Sequence, residues 1–189
     1  MRWTRTDHDS KVAPIREAVQ SALSYGDARL GNTGMVEKAL YGCIIDKSHL
    51  NNDSFIVEAL ECGQICAAIN NQPPLIRAWL HWAYGPRDNK HDQCEAAMGV
   101  MWANFPKIGA NLWDKHVKLC EIATLDYKCQ VIAGKRLPRE VYYSTLGTIQ
   151  NNWIRDWGRK LNLCLDTLAD YDNGGLQGIS GVIRSICAR

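Results

Sequence analysis

The chain has 189 residues, enough for one domain or two small ones with a sizeable core. Hydrophobic residues make up 46% and charged residues 22%, which excludes wholesale disorder. A formal net charge of +2 excludes a global basic field, so nucleic-acid binding has to come from a local patch.

The amino terminus, MRWTRTDHDSK, is polar, and no secretory leader is expected. No apolar run has the length of a bilayer span, so no membrane partner is expected. The expected location is the cytoplasm, where the eight cysteines stay reduced. Two Phe stand beside seven Trp and seven Tyr, rings that serve binding surfaces as well as cores.

Taken in order, the apolar residues recur at helical spacing almost throughout. Val12 to Tyr25 puts Ile15, Val19, Ala22 and Leu23 on one face. A loop with three Gly follows, and Thr33 caps a helix MVEKALYGCII. Ser54 precedes FIVEALECGQICAAI, with Phe55, Ala59, Cys62 and Cys66 on one face. After NNQPP, Leu75, Ala78, Trp79 and Trp82 mark the next helix, which Gly85-Pro86 stops. Gln93 to Phe105 gives a short helix ended near Pro106, and Ala110 to Tyr127 a longer one. Leu137 to Gly147 and Asn151 to Tyr171 form two more; DNGG then reads as a turn before a last short helix, LQGISGVIRSI. No stretch alternates strictly, so no sheet is expected. The fold class is all-α, with about nine helices.

The richest stretch is Leu137 to Trp157, LPREVYYSTLGTIQNNWIRDW. Pro138 suits a helix start, and Tyr142, Tyr143 and Leu146 share a face. Gly147 can take the left-handed conformation that ends a helix. Thr148 to Gln150 is about the turn of a helix-turn-helix. Trp153 and Trp157 lie four apart on the inner face of the second helix. Its outer face offers Gln150, Asn151, Asn152 and Arg155, side chains suited to base edges. Arg159 and Lys160 on that helix, with Lys135, Arg136 and Arg139 before it, suit phosphates. Tyr143 departs from the pattern, because a small residue usually stands there. Tryptophan is likewise bulky for the position facing back into the motif. The competing reading is an ordinary helical hairpin with a solvated face; DNA binding is placed ahead of it.

Cys62, Cys66, His91 and Cys94 have spacings that can put two pairs of ligands on one tetrahedral zinc. Cys62 and Cys66, however, share an apolar helical face, and His91 and Cys94 begin a helix. The core reading is preferred, so no metal or other cofactor is expected. Cys43, Cys120, Cys129, Cys164 and Cys187 read as small buried hydrophobes. Enzyme signatures are missing: there is no phosphate loop, no His-Glu-x-x-His and no nucleophile elbow. The carboxylate pairs Glu58–Glu61, Asp166–Asp170 and Asp170–Asp172 read as solvated helix faces. His116, beside Lys115 and Lys118, reads either as a phosphate contact or as an exposed residue. The Trp79, Trp82, Tyr84 stripe reads as core before it reads as a contact surface.

The LHWAYGP segment and the late LGTIQNNWIRDW resemble the late antitermination Q proteins of lambdoid phages. The likeness is of organisation and of about 20 residues; the Cys-x-x-Cys pairs of the zinc-bearing Q group are missing here. The resemblance implies a DNA-binding module similar to sigma region 4. It also implies loading onto promoter-paused RNA polymerase, which then reads through terminators, in the cytoplasm of a host bacterium. On this reading residues 1–107 form a Trp- and Cys-rich helical block that contacts polymerase or another partner. Residues 108–189 carry the helix-turn-helix and its long following helix. The rival from another class is a helical protein-interaction module, an inhibitor or adaptor of a host protein that does not bind DNA. A metal-dependent enzyme stands third.

Overall fold

A computed structural model of the chain describes residues 13–24, 52–85 and 89–188. Among these residues every regular element is helical and there is no strand, as the periodicity requires. Helix α1 covers residues 13–24. Next come α2 (Asn52–Asn70), α3 (Pro74–Tyr84) and α4 (Lys90–Asn104). A 3-10 turn, Ala110–Leu112, leads into α5 (Trp113–Ala133), and α6 is Arg139–Leu146. A helical turn Gln150–Asn152 and a π-helical turn Trp153–Trp157 then run into α7 (Gly158–Cys187). No helix among the described residues is long and apolar enough to cross a membrane. The helix expected after Thr33, with Cys43, lies outside the described residues, as do the side chains of Ser54, Phe55 and Glu58.

The chain forms two compact units. The first draws on Met1–Gln72, Tyr84–Pro86 and Leu176–Arg189. Val19, Ala22 and Leu23 of α1, Ile65 and Ile69 of α2, and Leu176, Ile179 and Ile183 of α7 are buried there. The Cys66 thiol donates to the Ala22 carbonyl at 3.6 Å. Gly178 admits the Gln72 amide, which a Cβ at that position would meet at 2.6 Å.

The second unit draws on Pro73–Ala83 and Arg87–Gly175. Its core joins Trp79, Leu80 and Trp82 of α3 with Val100 and Met101 of α4, Leu119 and Ala123 of α5, and Cys164 and Leu168 of α7. The Trp79 stripe is thus core. Asn89 caps α4 by accepting the His91 N–H at 3.0 Å, so the helix starts a turn before Gln93. Helix α5 runs past Tyr127 to Ala133, where Gly134 (φ 66°) ends it with bonds to Gln130 and Cys129 carbonyls.

Four expectations are overturned. The DNGG segment is not a turn: α7 continues through it, and neither Gly174 nor Gly175 has positive φ. A Cβ on Gly175 would come within 2.8 Å of Ile76 Cγ2 and 3.0 Å of Leu80 Cδ1, so this glycine lets α3 approach. Asp172 is not solvated. It is fully buried and accepts the Trp79 indole N–H at 3.1 Å. His116 is buried rather than exposed, and Cys187, read as buried, is exposed. Cys120 and Cys164 do behave as buried hydrophobes, with their sulfurs 3.9 Å apart.

Candidate nucleic-acid interface

The segment Lys135 to Lys160 lies within the second unit and is anchored from below by Asp126 of α5. The Asp126 carboxylate is 0% exposed. Arg136 reaches it with two N–H groups, Nε at 3.0 Å and Nη2 closer, and the Leu137 backbone N–H donates to the other oxygen at 2.8 Å. A buried charge is tolerated only when paired and hydrogen-bonded in this way. The Tyr142 hydroxyl sits beside the pair; burial, then the Asp126 charge, push it up to about 12, against the opposing effect of Arg136. The bond to Asp126 raises the Arg136 guanidinium, against the cost of burial.

Pro138 precedes the first turn of α6, with φ of −58° as its ring requires. Gly147 ends α6 at φ 57°, where its N–H meets the Ser144 carbonyl and the Thr148 N–H the Tyr143 carbonyl. Ile149 is extended, and helix resumes at Gln150. The second helix is held from inside by its two tryptophans, both buried. Trp153 stacks on Tyr142 at 5.1 Å and 15° and tilts against Tyr143 at 6.0 Å. Tyr143 therefore takes part in the contact where a small residue was expected. The π turn bonds the Gly158 N–H to the Trp153 carbonyl and inserts one residue into the ladder.

Trp157 lies tilted against His116 at 5.1 Å, and Phe105 meets the same imidazole edge-on at 4.9 Å. His116 Nδ1 lies 2.9 Å from the Leu112 carbonyl, which can only accept, so Nδ1 carries the proton. Nε2 then accepts from Lys160 Nζ at 3.2 Å. Burial lowers the His116 pKa most, the Leu112 bond opposes, and the Lys160 charge adds to the lowering. Lys160 also sits 4.5 Å from the centre of the Trp157 ring.

The nine side chains singled out for nucleic acid fall into three groups. Gln150, Asn151, Arg155 and Arg159 are exposed on the second helix, with Asn152 half-buried beside them. Lys135 and Arg139 are exposed before it. Arg136, though about half exposed, and the half-buried Lys160 are engaged by other side chains, Arg136 by Asp126 and Lys160 by His116 with Trp157. Arg155 is bonded to its neighbour Asp156 through two contacts of 2.7 and 2.8 Å, which raise the one pKa and lower the other. Ile149 and Ile154, each 65% exposed, flank the amides. Polarity does not mark them, although an isoleucine on a polar helical face is visible in the sequence.

Of the zinc set, Cys62 and Cys66 are half-buried on α2, and His91 and Cys94 are exposed on α4. Among the described residues, ligating side chains gather in threes or more only at His91, Asp92 and Glu95, at the start of α4. His91 there lies 3.9 and 4.0 Å from the two carboxylates. No protein-family model, no curated protein and no solved structure matches the chain.

Proposed function

We propose that this chain binds double-stranded DNA with the helix that begins at Gln150 and regulates transcription. The observation that carries the reading is the outer face of that helix. The amides of Gln150 and Asn151 and the guanidinium of Arg155 are exposed on it, while Trp153 and Trp157 are buried on its inner face. Paired amides and guanidinia are the groups that read purine edges in the major groove, and the first turns of a helix are where such contacts fall. Lys135, Arg139 and Arg159 supply phosphate contacts on this reading. The two exposed isoleucines suit thymine methyl groups. The resemblance to late antitermination Q proteins extends the proposal to RNA polymerase as the second partner. The test is a gel-shift panel on DNA from around the chain's own gene, against random duplex of equal length. Retention of one sequence over random duplex is expected; equal retention, or none, overturns the reading.

One observation favours a protein-interaction module as the second reading. Trp102 is 54% exposed and meets Trp113 edge-on at 5.4 Å. Large exposed rings of this kind anchor protein interfaces.

A further inference from the structure

Between the arms of α6 and the second helix lies a cleft of about 540 Å³, within the second unit. That volume is in the range of small-molecule sites, roughly 300–1,000 Å³. Its charged lining is cationic: Arg136, Arg139 and Arg159 border it, and no carboxylate does. Arg136 is committed to Asp126. Arg139 and Arg159 have no ion-pair or hydrogen-bond partner among the described residues, and neither has the Asn162 amide that adjoins them. The remaining wall is apolar and aromatic, with Leu137, Tyr143 and Ile154 over the stacked Tyr142–Trp153 floor.

Gly158 supplies an independent observation. It lines the cleft in ordinary helical geometry, φ −58° and ψ −43°. A Cβ there would meet nothing nearer than the Trp153 carbonyl at 3.8 Å. Neither backbone nor packing therefore requires glycine, which costs a helix interior about 1 kcal/mol relative to alanine. What its missing side chain does is leave the cleft open.

We infer that this cleft binds a nucleoside monophosphate. Two free guanidinia take the phosphate through charge-assisted bonds. The aromatic and apolar wall takes a flat base, and the Asn162 amide can donate to or accept from its edge. Inorganic phosphate fills only the cationic half. Arg139 and Arg159 are also the phosphate contacts of the DNA reading, so the experiment is run without DNA. Its failure leaves that reading standing.

The full chain is titrated with the four common nucleoside 5′-monophosphates and with inorganic phosphate, followed by calorimetry and by Trp fluorescence. At least one nucleotide is expected to bind one to one, about tenfold or more tighter than phosphate. Arg139→Gln and Arg159→Gln each weaken it about tenfold or more, the scale of a lost charged hydrogen bond. Gly158→Met fills the cleft without changing charge and should weaken it comparably, with the melting temperature held. Gln150→Ala, outside the cleft, should bind nucleotide as the parent does. Absence of binding by all four nucleotides at about 1 mM, where only very weak affinity would escape, overturns the inference. So does phosphate binding as tightly as the nucleotides, or arginine variants that bind unchanged. A Gly158→Met variant that binds nucleotide as the parent does takes the cleft out of the binding site and overturns it as well.

Discussion

Removing the Arg136 side chain would leave the Asp126 carboxylate buried with two of its hydrogen bonds gone. Breaking a buried ion pair costs about 3–5 kcal/mol. Arg136 is itself 48% exposed and the Leu137 N–H remains, so Arg136→Ala should cost about 2–3 kcal/mol in urea unfolding. Lys135→Ala, on an exposed neighbour, should stay within about 0.5 kcal/mol. Similar midpoints for the two variants would refute the anchor. His116 gives a second residue-scale test. Its folded pKa lies below the ordinary 6.5, so the unfolded chain binds the proton more readily. Its contribution is complete above the unfolded value and is lost as pH falls from about 6.5 toward the folded value. Melting temperatures from pH 7.5 down to 5.5 should fall less for His116→Asn than for the parent. Parallel curves would mean that the imidazole does not stay neutral inside. Neither role was legible in the chain. Asp126 and Arg136 lie ten residues apart across a helix end, and His116 stands between two lysines, Lys115 and Lys118, that suggested a surface.

Helix boundaries separate what local sequence can and cannot carry. The α6 break was readable because Gly147 needs a left-handed φ and its neighbours bond back to Tyr143 and Ser144, all within the local chain. The outward face of the next helix followed from the Trp153–Trp157 spacing for the same reason. The DNGG segment misled because its second glycine answers to another helix. Gly175 is set by Ile76 and Leu80, nearly a hundred residues upstream. Alanine substitutions separate the two cases. Gly174→Ala meets only Ile76 Cδ1 at 3.8 Å and should stabilise by about 0.5–1 kcal/mol through helix propensity. Gly175→Ala gains the same propensity but forces a Cβ to 2.8 Å from the stiff Ile76 branch, and should destabilise by about 1–3 kcal/mol. Thermal unfolding of the two variants measures the difference. A stabilised Gly175→Ala would mean that α3 does not lie against this step. The cleft was invisible for a related reason: its arginines, Arg139 and Arg159, lie twenty residues apart and come to one cleft only through the turn at Gly147 and the π turn between them.

On the scale of the whole molecule, the segment 135–160 that we propose reads DNA is about a seventh of the chain, and a second partner, if there is one, falls to the rest. An antiterminator has two separable duties, holding its site and altering polymerase, and two variants divide them. Gln150→Ala removes one exposed amide and should weaken the specific duplex by about 1–3 kcal/mol while leaving random duplex nearly unchanged. Trp102→Ala removes a ring that is half in solvent, so it should hold the melting temperature and the duplex affinity. If Trp102 anchors polymerase, the same change should abolish its effect on transcription, since a few aromatic anchors carry most of the energy of an interface. The measurement is transcription in vitro with purified bacterial polymerase and a terminator downstream of a promoter that carries the bound site. Readthrough should rise with the full chain only on that template, fall with Gln150→Ala in proportion to lost occupancy, and vanish with Trp102→Ala at full occupancy. Readthrough unaffected by the full chain, with specific DNA retained, would leave a DNA-binding regulator that acts at initiation. A Trp102→Ala variant that keeps readthrough would move the polymerase contact to another face.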